Sequence, residues 1–593
     1  MGVPGFFVSL YSKYANNEFV FSKLNLNDEN INSSFNDINS INELYLDTNC
    51  LIHPVCFKVY YENQSLLITN PQKLEEKMIK EIIIYIEKII NYIKPDCLVY
   101  IGIDGVAPMA KIKHQRIRRF KSIADNEIKE NVAKKHNVEF IKPWNNSAIT
   151  PGTEFMDKLT NAIISYLNLK KENNKLNDAK VKYIFSSANT TGEGEHKILQ
   201  YIKEHIDEKK IRIIYGLDAD LLYLALASEA SKMYLLREVT EFQKMKSDDD
   251  FCFVSIDSMR ECIYQDMIYS FEDLDNLENY KNNFIQDYIF MGFLLGNDFL
   301  PCLPSVNLST FKKNLSGLEI LFKCYQETFN DINETNESNN YEFLIQTKPK
   351  IKISYNFIKT LFKYLSYEEE TYFRTKYKIR KYIPPCASNN AYDLEIHSIE
   401  NLMFKIPDLF ELGKENVKIE DSKEKYYKHY FHENNISHII SDYFKTLYWT
   451  SYYYFDKCPD YKYYFKHHKL PFVSDIYKWI LESETELNYM ENIYPKQNDY
   501  CKLINPLQQL FMVLPIQSAF LLPSEYKKVM INLPEYFPKN ISQDFQLINK
   551  YWQATPEIKF LEPFFTWNKI KHIKLTEKEI QRNRFKKIYE IFV

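Results

Sequence analysis

At 593 residues the chain is too long for one ordinary hydrophobic core, and two or more substructures are expected. Its 45% hydrophobic and 26% charged residues are those of a soluble globular protein, and a net charge of −4 excludes any bulk attraction for polyanions. Ten scattered cysteines without a Cys-x-x-Cys pair speak for a reducing compartment and against structural zinc, and no apolar run of roughly 18 residues exists to span a membrane.

The stretch MGVPGFFVSLYSKY carries no basic leader followed by a long apolar run, so no signal peptide is predicted. Four apolar, β-branched runs then read as strands. ELYLDTN (43–49) ends in Asp47 and CLVYIGIDG (97–105) in Asp104. VKYIFSS (181–187) leads to TGEGEHK with Glu193 and Glu195, and IRIIYGLDADL (211–221) carries Asp218 and Asp220. Helical patterns such as 73–93 lie between them, and this alternation predicts an α/β core with a mostly parallel sheet and flanking helices. After GFLLGNDFLPCLPS (292–305), which holds Asp298, the pattern becomes helical and rich in aromatics. Residues 327–342 read as a polar loop or disordered insertion, and 385–430 as a charged linker. The expected organisation is a core over 1–310, a variable helical and loop insertion over 311–430, and a second, largely helical region over 431–593.

In a parallel sheet the ligand site lies beyond the carboxyl ends of the strands. Asp47, Asp104, Glu193, Glu195, Asp218 and Asp220 all fall there, and Asp298 joins them after LLGN. A lone Asp after a strand is commonly a helix N-cap or turn residue, and a lone GEGE a solvated turn. Seven carboxylates at one edge are different, because they cannot all stay ionised without cations. Oxygen-only donors suit Mg²⁺ or Mn²⁺, and two such ions about 3.5–4 Å apart are a device for in-line displacement at phosphorus. Asp287, within NNFIQDYIFMGFLLG, reads as structural. Directly after Asp104, residues 111–121 hold six Lys or Arg and His114. Lys111, Gln115, Arg118 and Arg119 share one face of a helix and have the chemistry for a terminal phosphate, whereas in isolation they would read as a solvated basic face.

These residues belong to longer recognisable blocks. MGVPGFF, LDTNCLIH (46–53), IDGVAPMAKIKHQRIRRF (103–120), ITPGTEFM (149–156), TGEGEHKI (191–198), YGLDADLL (215–222), LLREV (235–239) and MGFLLGNDFLP (291–301) occur in one order. PFVSDI (471–476), PLQQLFMVLPIQSAFLLPSEY (506–526) and LTEKEIQRN (575–583) follow. The chain closely resembles the 5′-to-3′ exoribonucleases of the Xrn family, with the likeness interrupted mainly between about 310 and 430. The resemblance implies a core related to flap endonucleases and PIN-like nucleases, and Mg²⁺-dependent release of mononucleotides from single-stranded RNA bearing a 5′ monophosphate. It implies that the seven carboxylates hold two metal ions, with Mn²⁺ as an alternative to Mg²⁺. Lys111, Gln115, Arg118 and Arg119 would form the 5′-phosphate pocket, and His53 would stack on the first bases. In the family a Trp-rich stretch before PFVSDI supplies the partner of that histidine; here CPDYKYYFKHHKLPF (458–472) offers Tyr461 and Tyr463.

The chain stops soon after LTEKEIQRN, so a compact member without the long C-terminal extension of the large cytoplasmic relatives is expected. Its composition would suit a large DNA virus or a protist. The resemblance implies a monomer in the cytoplasm or a viral factory, with the nucleus as a further location, and a functional link to decapping enzymes. Two alternatives stand beside it. One is a structure-specific 5′ DNA nuclease of flap-endonuclease type, which shares the acidic edge. The other is a catalytically inactive RNA-binding scaffold, which predicts a missing metal ligand where none is missing.

Overall fold

The computed structural model describes residues 6–14, 20–24, 40–173, 181–238, 251–269, 271, 277–307, 316–334, 341–379, 383, 385–431, 435–494, 504–548 and 550–593. At its centre is an eight-stranded sheet. In chain order its strands are β1 (Phe21–Leu24), β2 (Glu43–Asp47), β3 (Leu98–Gly102), β4 (Lys182–Ser186), β5 (Arg212–Tyr215), β6 (Met233–Glu238), β7 (Phe251–Ser255) and a C-terminal strand, Tyr589–Phe592. The middle runs β6-β5-β2-β3-β4, all parallel. Antiparallel strands finish both sides: β7 and then β1 beyond β6, and the C-terminal strand beyond β4.

Every residue of β2, β3 and β5 is buried, as a sheet covered by helices on both faces requires. The two-residue repeat of a strand sends Tyr45, Tyr100, Ile184 and Ile214 into one core. Leu44, Leu46, Val99, Ile101 and Ile213 enter the other. The chain lays β3 and β4 on one side of β2, then reverses to lay β5 and β6 on the other. Such a reversal opens a crevice at the carboxyl end of the strand it straddles. Asp47 is the last residue of that strand.

The four expected strands are present. The edge strands β1 and Tyr589–Phe592, together with β6 and β7, were not among them; the two edges are four residues each and depend on tertiary pairing. Two further expectations are corrected. Residues 327–333 complete the helix Gly317–Asn333, while 335–340 lie outside the described residues. The segment 385–430 is no loose linker, for it contains helices Ala391–Glu400 and Ile419–Tyr430 and buries Phe410 and Tyr426. Its charged composition conceals the aromatic anchors. Nor does the second helical region stand apart. Arg116, on the helix Met109–Lys135, lies over the rings of Phe120 and Phe537 and donates to the carbonyls of Met512 (2.6 Å) and Tyr536. Among the described residues, no helix is long and apolar enough to cross a membrane.

Candidate active site

Each acid owes its position to a local device. Asp47 ends β2, and Asp104 lies two residues past β3. Glu193 and Asp218 are N-caps of the helices Gly194–Glu204 and Ala219–Ala227, with Glu195 and Asp220 in their first turns. GEGE and LDAD are therefore one arrangement used twice: strand, acid at the N-cap position, second acid two residues on. The unpaired amides and dipole of a helix N-terminus favour negative charge at both. Two glycines make room for it. Gly192 has φ +100°, in the left-handed region, and a Cβ on Gly194 would meet Asp47 Oδ1 at 2.7 Å. The Gly194 N–H donates to Asp104 Oδ1 at 2.7 Å.

Asn49, Cys50 and Tyr453, which the strand-end pattern does not pick out, hold further oxygens of Asp104, Asp47 and Glu193. Asn49 Nδ2 donates to Asp104 Oδ2 (2.8 Å), and its Oδ1 accepts from the Asp104 N–H (3.1 Å). Cys50 Sγ donates to Asp47 Oδ2 (2.9 Å) and accepts from the Leu217 N–H (3.2 Å). Both residues stand in LDTNCLIH directly after Asp47, which was the available signal. Tyr453, whose hydroxyl donates to Glu193 Oε2 at 2.7 Å, gave none: its partner is 260 residues away.

A cavity of about 990 Å³ opens onto this edge. Asp47, Asp104, Glu193, Glu195 and Asp218 line it, and so do Lys111, Gln115, Arg118, Arg119 and His53. Asp220 and Asp298 do not line it; Asp298 lines a neighbouring cavity with His114. Lys111 Nζ bridges Glu193 Oε1 and Asp298 Oδ2 at 2.6 Å each, and His114 Nδ1 lies 3.1 Å from Asp298 Oδ1.

The electrostatics follow from burial and crowding. Burial, then Asp104 and Asp218, push Asp47 well above the usual carboxylate range. Burial and Glu193 raise Asp104 to about 6, and burial and Asp298 raise Asp220 to about 7. Burial and Asp218 also hold Glu195 well above its ordinary value. Burial acts on Asp298 in the same sense, but His114 and Lys111 outweigh it and keep that carboxyl well below the ordinary range. Glu195 Oε2 and Asp220 Oδ1 are buried with no hydrogen-bond partner, a costly state for an acceptor. An all-oxygen donor set with such oxygens fits a hard divalent cation. Among the described residues, no three acids as they stand are gathered closely enough to enclose an ion. The Lys111 ammonium is the positive charge at their centre.

Half of the basic run 111–121 turns out to be structural. Lys113 donates to the carbonyls of Phe465 (2.7 Å) and Lys466 (2.9 Å), and Lys121 donates to Gln543 Oε1 (3.0 Å) besides pairing with Asp125 (2.9 Å). With Arg116 these residues tie the helix to the second region. The other half faces the cavity. Arg119 Nη2 donates to Thr150 Oγ1 (2.6 Å), while its Nη1 is buried without an acceptor and burial lowers its pKa to about 9. Gln115 Oε1 accepts from Gln509 Nε2 (3.3 Å). Burial, then Arg119 and Arg118, bring His53 down to about 4, so its ring is neutral at pH 7.

Tyr461 and Tyr463 do not join His53. Neither lines its cavity, whose aromatic lining is Phe57, Phe140, Trp144 and Phe520. The Tyr463 hydroxyl is bound to Thr446 Oγ1 at 2.8 Å, and the Tyr461 carbonyl accepts from the Met109 N–H at 2.8 Å. The Tyr461 carbonyl thus holds the start of the basic helix, and Tyr463 is tied to the helix Ile436–Phe455.

Residues 1–239 match the family model of the XRN 5′-3′ exonuclease N-terminus, and residues 279–403 and 407–593 match that of the Xrn1 helical domain. The chain is 28% identical over 580 residues to human 5′-3′ exoribonuclease 1, covering 88% of this chain and 32% of that protein. The protein of the same name from Schizosaccharomyces pombe is 26% identical over 693 residues, covering 99% and 50%. That from Saccharomyces cerevisiae is 26% identical over 657 residues, covering 88% and 41%. The chain thus spans about a third to a half of the length of these relatives. With one model over the acidic sheet and the other over the helical region that backs it, the chain belongs to the Xrn family of 5′-3′ exonucleases.

Proposed function

We propose that the chain is a metal-dependent 5′-to-3′ exoribonuclease that releases mononucleotides from single-stranded RNA bearing a 5′ monophosphate. The observation that carries this reading is one cavity lined by five carboxylates and by Arg119, whose Nη1 is buried without an acceptor. A terminal phosphate supplies the acceptor that Arg119 Nη1 lacks, as a charge-assisted hydrogen bond. Arg118 adds charge, and Gln115, its oxygen engaged by Gln509, keeps its amide nitrogen to donate. Thr150 accepts from Arg119 Nη2 and holds the guanidinium in place beside the cavity.

With the 5′ end anchored there, the first phosphodiester comes to lie over the acids. The seven carboxylates would hold two Mg²⁺ or Mn²⁺ ions, which when bound neutralise charge and polarise the scissile phosphate. Asn49, Cys50 and the Gly194 N–H hold Asp104 and Asp47 in fixed orientations. Neutral His53 offers a flat face to the first bases. Monophosphate ends are what cap hydrolysis leaves, so supply by a decapping activity belongs to the same reading.

The test is incubation with Mg²⁺ and one RNA carrying a 5′ monophosphate, triphosphate or hydroxyl, beside a flapped DNA and an Asp218→Ala/Asp220→Ala variant. Mononucleotide release from the monophosphate RNA alone, abolished in the variant, is expected. Cleavage of the flap with no release from any RNA would overturn the reading in favour of a DNA nuclease.

A further inference from the structure

Tyr453 comes from the helix Ile436–Phe455 of the second region, yet it is fully enclosed by the neighbours of the acids. Its ring stacks on His196 (centroids 4.2 Å apart) and on Trp449 (5.2 Å), and meets Phe299 edge-on at 4.8 Å. His196 follows Glu195, and Phe299 follows Asp298. His196 Nε2 also lies 3.0 Å from the Tyr453 carbonyl oxygen. The hydroxyl, aimed by this cage, donates to Glu193 Oε2 at 2.7 Å, while Lys111 holds the other oxygen of the same carboxylate at 2.6 Å.

We infer that Tyr453 is a positioning residue through which the helical region sets the affinity of the acidic edge for its divalent cation. The inference rests on the proposed reading that these acids hold such an ion. Glu193 is gripped from two sides by unlike partners. The Lys111 ammonium is repelled by an arriving cation, whereas a neutral phenol is not. A phenol is neutral at neutral pH, since tyrosine ordinarily titrates at about 10. Tyr453 is therefore the contact that persists and fixes which oxygen of Glu193 remains for the metal. Outer partners of this kind change metal affinity by roughly 10–100-fold when removed.

The experiment is titration of the RNA-free protein with Mn²⁺, reading free ion by electron paramagnetic resonance, for wild type, Tyr453→Phe and Tyr448→Phe. Tyr448 is on the same helix and its buried hydroxyl accepts from the Ile353 N–H at 3.3 Å, far from the acids, so it controls for loss of a buried hydroxyl. Tyr453→Phe should weaken Mn²⁺ binding about tenfold or more and raise the Mg²⁺ needed for half-maximal activity by a similar factor, with KM for RNA unchanged. Tyr448→Phe should alter only the unfolding temperature. Equal Mn²⁺ affinity in wild type and Tyr453→Phe would overturn the inference alone. No Mn²⁺ binding by wild type would overturn it together with the metal reading, and equal weakening in both variants would reduce Tyr453 to a structural role.

Discussion

Replacing Gly194 with alanine sets helix propensity against packing. Alanine is the better helix former by about 1 kcal/mol in a helix interior, so local preference favours the change. The surroundings oppose it. A Cβ would stand 2.7 Å from Asp47 Oδ1 and 3.1 Å from the Gly102 carbonyl oxygen, where ordinary contact begins near 3.4 Å. The carbonyl belongs to central strand β3 and already accepts from the Thr48 N–H at 2.9 Å, so it has little freedom. Asp47 must retreat by about 0.7 Å, the difference between 3.4 and 2.7 Å. Overpacking of this kind costs about 1–3 kcal/mol. A displacement approaching an ångström at reacting groups costs of the order of 10²-fold in rate. Mononucleotide release from 5′-monophosphate RNA should therefore fall about a hundredfold, with a lowered unfolding temperature. Wild-type turnover with equal or greater thermal stability would refute the claim that Gly194 is there to admit the acids.

Arg119→Ala should lower kcat/KM on 5′-monophosphate RNA by roughly 10–100-fold, the scale of a hydrogen bond to a charged group, and leave 5′-hydroxyl RNA unaffected in a side-by-side assay. Lys111→Met would leave Glu193 and Asp298 buried without their cation, costing about 3–5 kcal/mol in urea unfolding under chelation, and added Mg²⁺ should recover part of it. Burial raises Asp287 to about 7, despite donors from Tyr325, Leu344 and Ile345 that pull it down. Its unfolded value is about 3.9, so its stabilising contribution is complete below that pH and lost as pH rises to about 7. Asp287→Asn should therefore flatten the stability–pH curve between about 4 and 7, and a difference curve unchanged from wild type would contradict the assignment.

The acidic edge was legible because a strand end followed by an acid is a local pattern, and four such ends in one chain converge only at a parallel sheet. Asp287 was separable from the set for the same reason: it sits inside a helix, and its three donors make it a buried anchor. The basic helix was half legible. Helical spacing identified the face carrying Lys111, Gln115, Arg118 and Arg119, but it could not reveal that Lys113, Arg116 and Lys121 are claimed by carbonyls and acids of the same chain. Tyr453 was hidden among 46 tyrosines, since the hydrogen bond that distinguishes it exists only after two distant segments pack. Tyr461 and Tyr463 misled for the opposite reason. Aromatic character fitted a stacking role, while the packing that keeps both residues off the lining of the His53 cavity is set by partners distant in sequence.

The pairing of Tyr589–Phe592 with β4 bears on how the molecule is made. During synthesis β4 emerges early with one edge bare, and its covering strand leaves the ribosome only at the far end of the sequence. An uncovered edge is a template for mispairing, and contacts this distant in sequence form slowly. The nascent nuclease half thus waits incomplete while the helical half is translated. A fragment ending after residue 239 would keep every acid but Asp298, yet lack the strand that seals β4 and Tyr453 on Glu193.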